Sequence, residues 1–218
     1  MKVVIQCARS KQASAGTFSL DSQRVSFVSK PRLAPGSPGV AHFHPDELIP
    51  GRSITWREHL VQYNRNRENP QRLLPAADLY SPDIYRELRD HVGVSNFYIL
   101  SAGWGLVRAD YLLPLYDITF SIQAKPCKRR GPRDRFKDFN HLREGPLAVD
   151  EPIYFFGGRD YLSLYHGLVA HLSARKIVYY VSSRITQEPS FAYVRYPHSG
   201  TNWHYRCARD FIRGVIPS

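Results

Sequence analysis

Ile153-Tyr154-Phe155-Phe156-Gly157-Gly158-Arg159-Asp160-Tyr161-Leu162-Ser163-Leu164-Tyr165-His166-Gly167-Leu168 changes its period partway along. The first four residues are an unbroken apolar run, the pattern of a strand buried on both faces. After two glycines, Tyr161, Leu164, Tyr165, Leu168 and then Leu172 recur at helical spacing, so 160–172 reads as an amphipathic helix. A strand passing at once into a helix is the repeating unit of a layered α/β fold.

The rest of the chain repeats the theme. Residues 3–6, 96–100 and 176–181 are further short apolar runs bounded by turn formers, and 192–196 is a fifth, less regular one. Between them lie helix starts with a physical cause. Ser81-Pro82-Asp83 offers a cap, a proline at the first helical position and a carboxylate against the positive helix end, followed by Ile84, Leu88 and Val92. Thr55-Trp56-Arg57-Glu58 is a capping box leading into Leu60 and Tyr63. A last helix is predicted from about 202 to 213, with Trp203, Cys207 and Phe211 inward. The expected fold is a single α/β domain over 1–218, a three-layer sandwich with a mostly parallel central sheet. Two segments break the alternation, a Gly/Pro/Ser-rich one at 13–51 and a charged one at 125–150, and both read as surface insertions.

Composition narrows the function classes. The 218 residues include 43% hydrophobic and 13% aromatic side chains, ample for a core, but no run of the roughly 18 apolar residues that a membrane span needs. Lys and Arg outnumber Asp and Glu by 30 to 19, a formal +11, an excess that suits a polyanionic partner and otherwise serves solubility. Nucleic acid is expected; a membrane partner is not. The N-terminus lacks the apolar run of a signal peptide, and three scattered cysteines without a CxxC pair suit a reducing compartment, hence the cytoplasm. Of nine histidines only His42 and His44 are close, without a matching Cys or carboxylate set, so neither metal nor cofactor is expected.

In an open α/β sheet ligands bind beyond the carboxyl ends of the strands. Those ends carry Cys7-Ala8-Arg9-Ser10-Lys11, then Ser101-Ala102-Gly103-Trp104-Gly105, then Gly157-Gly158-Arg159, then Pro197-His198-Ser199-Gly200-Thr201-Asn202. Gly103 and Gly105 would let backbone approach a ligand beneath the Trp104 plane, or make a tight turn with Trp104 as a core plug. Gly157-Gly158 would be an anion-binding turn or an innocent one. Arg206, Arg209 and Arg213 form a helical stripe suited to a phosphate backbone, or a solvated face. The run 125–135, with Lys128, Arg129 and Arg130 at its centre, reads as a phosphate-binding loop or a solvated tether.

Several of these blocks, in this order, resemble a known family. Cys7-Ala8-Arg9-Ser10-Lys11, Asp78-Leu79-Tyr80-Ser81-Pro82, Leu100-Ser101-Ala102-Gly103-Trp104-Gly105-Leu106-Val107 and Pro114-Leu115-Tyr116-Asp117 are similar to a family of small bacterial and phage proteins. That family is known as a domain of unknown function distantly related to the YaaA proteins. The resemblance covers the first strand, about 76–120 and 153–170, and departs at Tyr85, Trp104 and Leu115. Tyr196-Pro197-His198-Ser199-Gly200-Thr201-Asn202-Trp203-His204 is also similar to the His-Pro-Ser loop of uracil-DNA glycosylase-like proteins, though ordered Pro-His-Ser and without their motif after the first strand.

The resemblance implies a uracil-DNA glycosylase-like fold and a DNA partner. The expected activity is excision of a modified base from duplex DNA by N-glycosidic cleavage, in defence against phage. Alternatives are a non-catalytic DNA-binding protein of the damage or stress response, and an N-glycosidase or transferase of free nucleotides. Breaking the bond needs a carboxylate for the sugar cation and a donor for the departing base. Asp117 or Asp78 would be the carboxylate, and His198 or Lys11 the donor. Tyr80, Ser101, Gly103, Trp104, Tyr116, Gly157, Gly158 and Asn202 would shape the pocket. Duller roles stay open: Asp117 capping a turn, Asp78 paired with an arginine, His198 a satisfied loop residue, Lys11 a phosphate ligand. Lys11 as a Schiff-base nucleophile would need a depressed pKa.

Overall fold

The apolar runs become strands that are buried from both sides. In a computed structural model, which describes residues 1–216 except 67, 132, 133, 146, 147, 149 and 183, the strands in chain order are β1 (Lys2–Gln6), β2 (Ser19–Leu20), β3 (Gln23–Phe27), β4 (Val40–Phe43), β5 (Leu74–Pro75), β6 (Phe97–Ser101), β7 (Gly105–Arg108), β8 (Leu112–Leu113), β9 (Phe139–Asn140), β10 (Ile153–Phe156), β11 (Lys176–Tyr180) and β12 (Phe191–Arg195). The α-helices are α1 (Trp56–Arg65), α2 (Ala76–Leu79), α3 (Ile84–Val92), α4 (His141–Glu144), α5 (Arg159–Val169) and α6 (Trp203–Ile212).

Seven strands form one sheet in the order β12-β11-β10-β1-β6-β7-β9. From β12 to β6 neighbours run parallel; β7 turns back antiparallel on β6, and β9 follows β7 in parallel. Alternation along β10 fixes the layers. Phe155 stacks on Tyr165 of α5 with ring centroids 4.1 Å apart, whereas Tyr154 and Phe156 face Phe211 of α6 at 5.0 and 5.3 Å. The α5 and α6 helices therefore cover opposite faces, and α3 joins α6 through a bidentate Arg209–Glu87 pair. The arrangement is the expected α/β architecture, with a mostly parallel sheet between helical layers.

Three local expectations need correction. Residues 13–51 are more than a surface excursion: β2, β3 and β4 make a second sheet, and Phe18, Val25 and Phe27 bury their side chains in the common core. The charged segment at 125–150 likewise contributes β9, α4 and the buried Cys127 and Arg130. Neither Ser81 nor Asp83 caps α3 with its side chain, and Asn202 opens α6 in a left-handed conformation (φ 60°) without a side-chain cap bond. The capping box is present in full: Glu58 N–H donates to the Thr55 hydroxyl while the Glu58 carboxylate accepts from Thr55 N–H.

The tight turn after β6 is held by side chains. The carbonyls of Gly103 and Trp104 accept from Arg57 at 3.1 Å each, and that of Ala102 accepts from Arg130 at 2.9 Å. Gly103 and Trp104 N–H donate to the Ser101 hydroxyl oxygen at 3.3 and 3.1 Å. Both arginines are buried and neutralised, Arg57 by Asp46 and Arg130 by a two-pronged pair with Asp138 at 2.9 and 2.6 Å. Removing one partner of such a pair strands a buried charge, which costs about 3–5 kcal/mol. Arg130→Met is therefore expected to lower unfolding free energy by about that much in urea titrations. Adding Asp138→Leu should restore a large part, since no buried carboxylate is then left alone; a double mutant no more stable than Arg130→Met would contradict this account.

Candidate active site

The sheet order creates a crevice. The chain leaves β1 for β6 on one side and later returns to β10 on the other, so the loops after these strands diverge, which is where open α/β sheets bind ligands. Two adjoining cavities lie there. The larger, about 800 Å³, is lined by Arg9, Lys11, Arg24, Tyr116, Asp117 and Lys128 among others. The smaller, about 560 Å³, is lined by Gln6, Cys7, Gly158, Tyr161, Asn202 and Trp203 among others. Arg9, Thr119 and Ser121 border both.

A buried hydroxyl network forms the wall between crevice and core. Tyr80 and Tyr116 hydroxyls are 2.8 Å apart, and the Ser101 hydroxyl donates to Tyr116 at 2.9 Å. Cys7 Sγ accepts from Ala102 N–H at 3.4 Å and lies 3.2 Å from the Tyr161 hydroxyl. Burial holds the phenols of Tyr80, Tyr116 and Tyr161 well above their ordinary pKa, so all three are neutral donors at any physiological pH.

Lys11 rests on this wall. Backbone bonds from Gln12 to Leu79 and from Ser81 to Ser10 tie its segment to the strand-like stretch around Tyr80. Its Nζ sits 4.2 Å from the Tyr116 ring centroid and 5.8 Å from that of Tyr80. Among the described residues its hydrogen bond is a long 3.4 Å donation to the Arg9 carbonyl. Burial pulls the Lys11 pKa below the ordinary lysine value; Cys7 and Asp117 pull it back in part, and the Lys128 charge lowers it again. Asp117 is anchored by its N–H donating to the Phe27 carbonyl of β3 at 2.8 Å, with a side chain 47% exposed to the cavity and ion-paired with Lys128.

Gln6 and Gly158, in the lining of the smaller cavity, join a relay with His204 behind them. The Gln6 side-chain oxygen Oε1 accepts from Gly158 N–H at 2.6 Å, which leaves its Nε2 to donate to His204 Nε2 at 3.1 Å. His204 must then be neutral, and burial agrees, depressing its pKa to about 4.

The structure gathers some of the predicted residues and disperses others. Lys11, Tyr116, Asp117 and Lys128 meet in the larger cavity, and Gly158 and Asn202 in the smaller. Tyr80 and Ser101 stand behind Tyr116, buried. Asp78 is elsewhere, its carboxylate 2.7 Å from Arg89 on α3, so it is an ion-pair partner and no site carboxylate. His198 is exposed on the loop after β12, its ring against Tyr196, and borders neither cavity. Trp104 is 0% exposed, stacked on Phe139, and fills the core instead of covering a ligand. Gly103 has a packing reason: a Cβ there would lie 3.0 Å from the Tyr116 ring. Gly157 has another, since a Cβ would come within 2.2 Å of the Phe155 ring. The Gly158 N–H, spent on Gln6, is not free for an anion.

The basic residues divide likewise. Arg130 is buried with Asp138 and so withheld from a phosphate, Arg209 is paired with Glu87 at the surface, and Arg206 and Arg213 are exposed. Arg129 donates to the Ile122 carbonyl at 3.2 Å. Pro132 and Arg133 of the basic run lie outside the described residues. The block 7–11 at the end of β1 is expected at the ligand side, but of its residues only Lys11 is given a role by the sequence; Gln6, Cys7, Arg9, Arg24 and Tyr161 also line the cavities. Among the described residues no three His, Cys, Asp or Glu side chains converge as metal ligands would. No helix there is long and apolar enough to cross a membrane. No protein-family model matches the chain, and no curated protein matches its sequence.

The depressed pKa of His204 ties this site to stability. An unfolded histidine titrates near 6.5, so between about 6.5 and 4 the unfolded chain binds more protons than the native one. The stabilisation is complete above that range and is lost as pH falls through it, by roughly 2 kcal/mol between pH 7 and pH 5 for this group. His141, buried and also depressed to about 4, acts in the same direction. Urea midpoints at the two pH values are expected to show the drop, with a shallower one in His204→Gln. An unaltered pH slope in that variant would mean that His204 is not held neutral.

Proposed function

We propose that the protein is a DNA N-glycosylase that draws a modified nucleotide out of the duplex into the larger cavity. One observation carries the reading: a carboxylate, Asp117, and a proton-reluctant ammonium, Lys11, share a cavity at the sheet's carboxyl end whose rim is basic. About 800 Å³ lies within the range of small-ligand pockets and leaves room for a bulky base. Arg9, Arg24 and Lys125 border it, are exposed, and form no ion pair among the described residues. Cations with no internal partner around a concave site suit the phosphates flanking an extruded nucleotide.

The chemistry follows from the charges. As the bond from C1′ to the base nitrogen breaks, its electron pair leaves with the base and positive charge grows on the sugar. Asp117 faces that cation, and water supplies the new oxygen at C1′. Lys11 gives its proton to the departing base; an ammonium with a lowered pKa is the stronger acid for it. His198 and Asp78, away from the cavity, have no part. The likeness to uracil-DNA glycosylases enters here as support for the same reading: a parallel core and a late loop that opens the last helix.

A carboxylate that acts on the sugar cation matters in the transition state more than in the bound ground state. Asp117→Asn is therefore expected to bind DNA nearly as the parent does and to release base about two orders of magnitude more slowly. Asp78→Asn should release base at a near-parental rate. The assay is incubation with canonical and heavily modified phage DNA, followed by alkali to break abasic strands. No release from any of these DNAs would refute the glycosylase reading, and rapid release by Asp117→Asn would refute the carboxylate's role.

Binding gives a separate check. Arg9, Arg24 and Lys125 changed together to Ala should weaken affinity for all sequences and flatten the slope of log K against log salt by roughly one unit per lost contact. An unchanged slope would show that DNA lies elsewhere.

A further inference from the structure

Lys11 is an amine outside any ion pair among the described residues. It has no carboxylate partner within ion-pair distance among the described residues, because the nearest one, Asp117, is bound to Lys128. The charged and titratable groups around it are Cys7, Tyr80, Tyr116, Asp117 and Lys128, and the tyrosines are held neutral by burial. The aromatic face beneath its Nζ leaves the other side open to the cavity. The rings hold the Lys11 nitrogen inside the cavity wall by a cation–π contact, away from the exposed rim where Arg9 and Lys125 stand.

We propose that Lys11 is a carbonyl-capturing amine that forms an imine with the C1′ aldehyde of an abasic deoxyribose, giving the protein a strand-cleaving lyase activity. The proposal rests on the glycosylase reading for the origin of its substrate, and it joins that chemistry directly. Once Lys11 has given its proton to the base it is a neutral amine beside C1′. Its nitrogen attacks the aldehyde carbon of the opened sugar, and the carbonyl oxygen departs as water. The imine, protonated by solvent, acidifies C2′; the C2′ proton passes to water, a C2′–C3′ double bond forms, and the C3′–O bond breaks with its electron pair leaving on the 3′ phosphate. No oxidant or reductant is required. Desolvation lowers the Lys11 pKa against the opposing pull of Cys7 and Asp117, and the adjacent Lys128 charge lowers it further; a lowered pKa favours the neutral, nucleophilic amine.

The test uses the full chain and a labelled duplex that carries one preformed abasic site, with sodium borohydride to reduce the imine to a stable secondary amine. A covalent protein–DNA species is expected, and peptide mapping should place it on Lys11. In Lys11→Arg, which keeps a cation but cannot form an imine, the species should fall to background while abasic duplex is still bound. Trapping by the parent should persist near pH 7, where an ordinary lysine is almost wholly protonated. A cross-link mapped to Lys125 or Lys128, or no cross-link from parent protein, overturns the proposal, and if Lys11→Arg fails to fold the mapped position in the parent decides. Base release, assayed separately on modified DNA, keeps the two readings apart. Release without trapping removes the lyase and leaves the glycosylase; trapping without release from any DNA does the reverse.

Discussion

Two buried arginines gripping three consecutive carbonyls set the position of everything else in the crevice. A turn that enters the core at the end of a central strand brings backbone polar groups with it, and each needs a partner. Arg57 and Arg130 take the carbonyls of Ala102, Gly103 and Trp104, while Ser101 and Cys7 take the N–H groups. With that turn fixed, β7 can reverse along β6 and Trp104 can fill the space beneath it. The Tyr116 ring lies against Gly103, and Lys11 lies on Tyr116. The arginines come from α1 and from the charged segment, so the crevice depends on parts of the chain remote from it in sequence.

The positive charge of the chain falls into two sets. Arg57 and Arg130 are neutralised in the interior by Asp46 and Asp138, and Arg209 is paired with Glu87 at the surface. The rest is exposed around the crevice and on the outer side of α6. A count of +11 cannot distinguish them, because an arginine that braces a turn and one that meets a phosphate look alike in composition.

The parallel core was legible in the sequence because its signals are local. Short apolar runs gave the strands β1, β6, β10, β11 and β12 to within a residue or so, and helical periodicity gave α1, α5 and α6. What escaped were structures that depend on distant partners. Two-residue β9 has no pattern of its own and exists because β7 offers an edge. The dispersal of Asp78 and His198 is of the same kind: the sequence of a polar block does not show that Arg89 holds the Asp78 carboxylate or that His198 packs on Tyr196 away from both cavities. Lys11, Tyr116 and Asp117 were found because they cluster in blocks adjoining predicted strand ends, although the burial that gives Lys11 its character is set by Tyr80 and Tyr116.

The second sheet shows why the segment read as an insertion belongs to the site. Tyr116 bridges to Phe27 at the end of β3, Leu115 N–H donates to the Gly16 carbonyl at 2.9 Å, and Thr119 bridges to Arg129. The stretch bearing Asp117 is thus an added strand-like length, held on one side by β3 and on the other by the basic loop. Side chains along an extended stretch alternate, so the register that turns Tyr116 inward to Ser101 necessarily turns Asp117 outward into the cavity. A slip by one residue would bury the carboxylate against the core and expose the ring, which the hydroxyl network and the β3 bond both oppose. The Gly/Pro/Ser-rich segment is for this reason a wall of the crevice, supplying Arg24, Val25, Ser26 and Val40 to its lining. Residues 13–51 therefore govern which face of the 114–119 stretch faces the cavity, a constraint that no reading confined to the parallel core could reach.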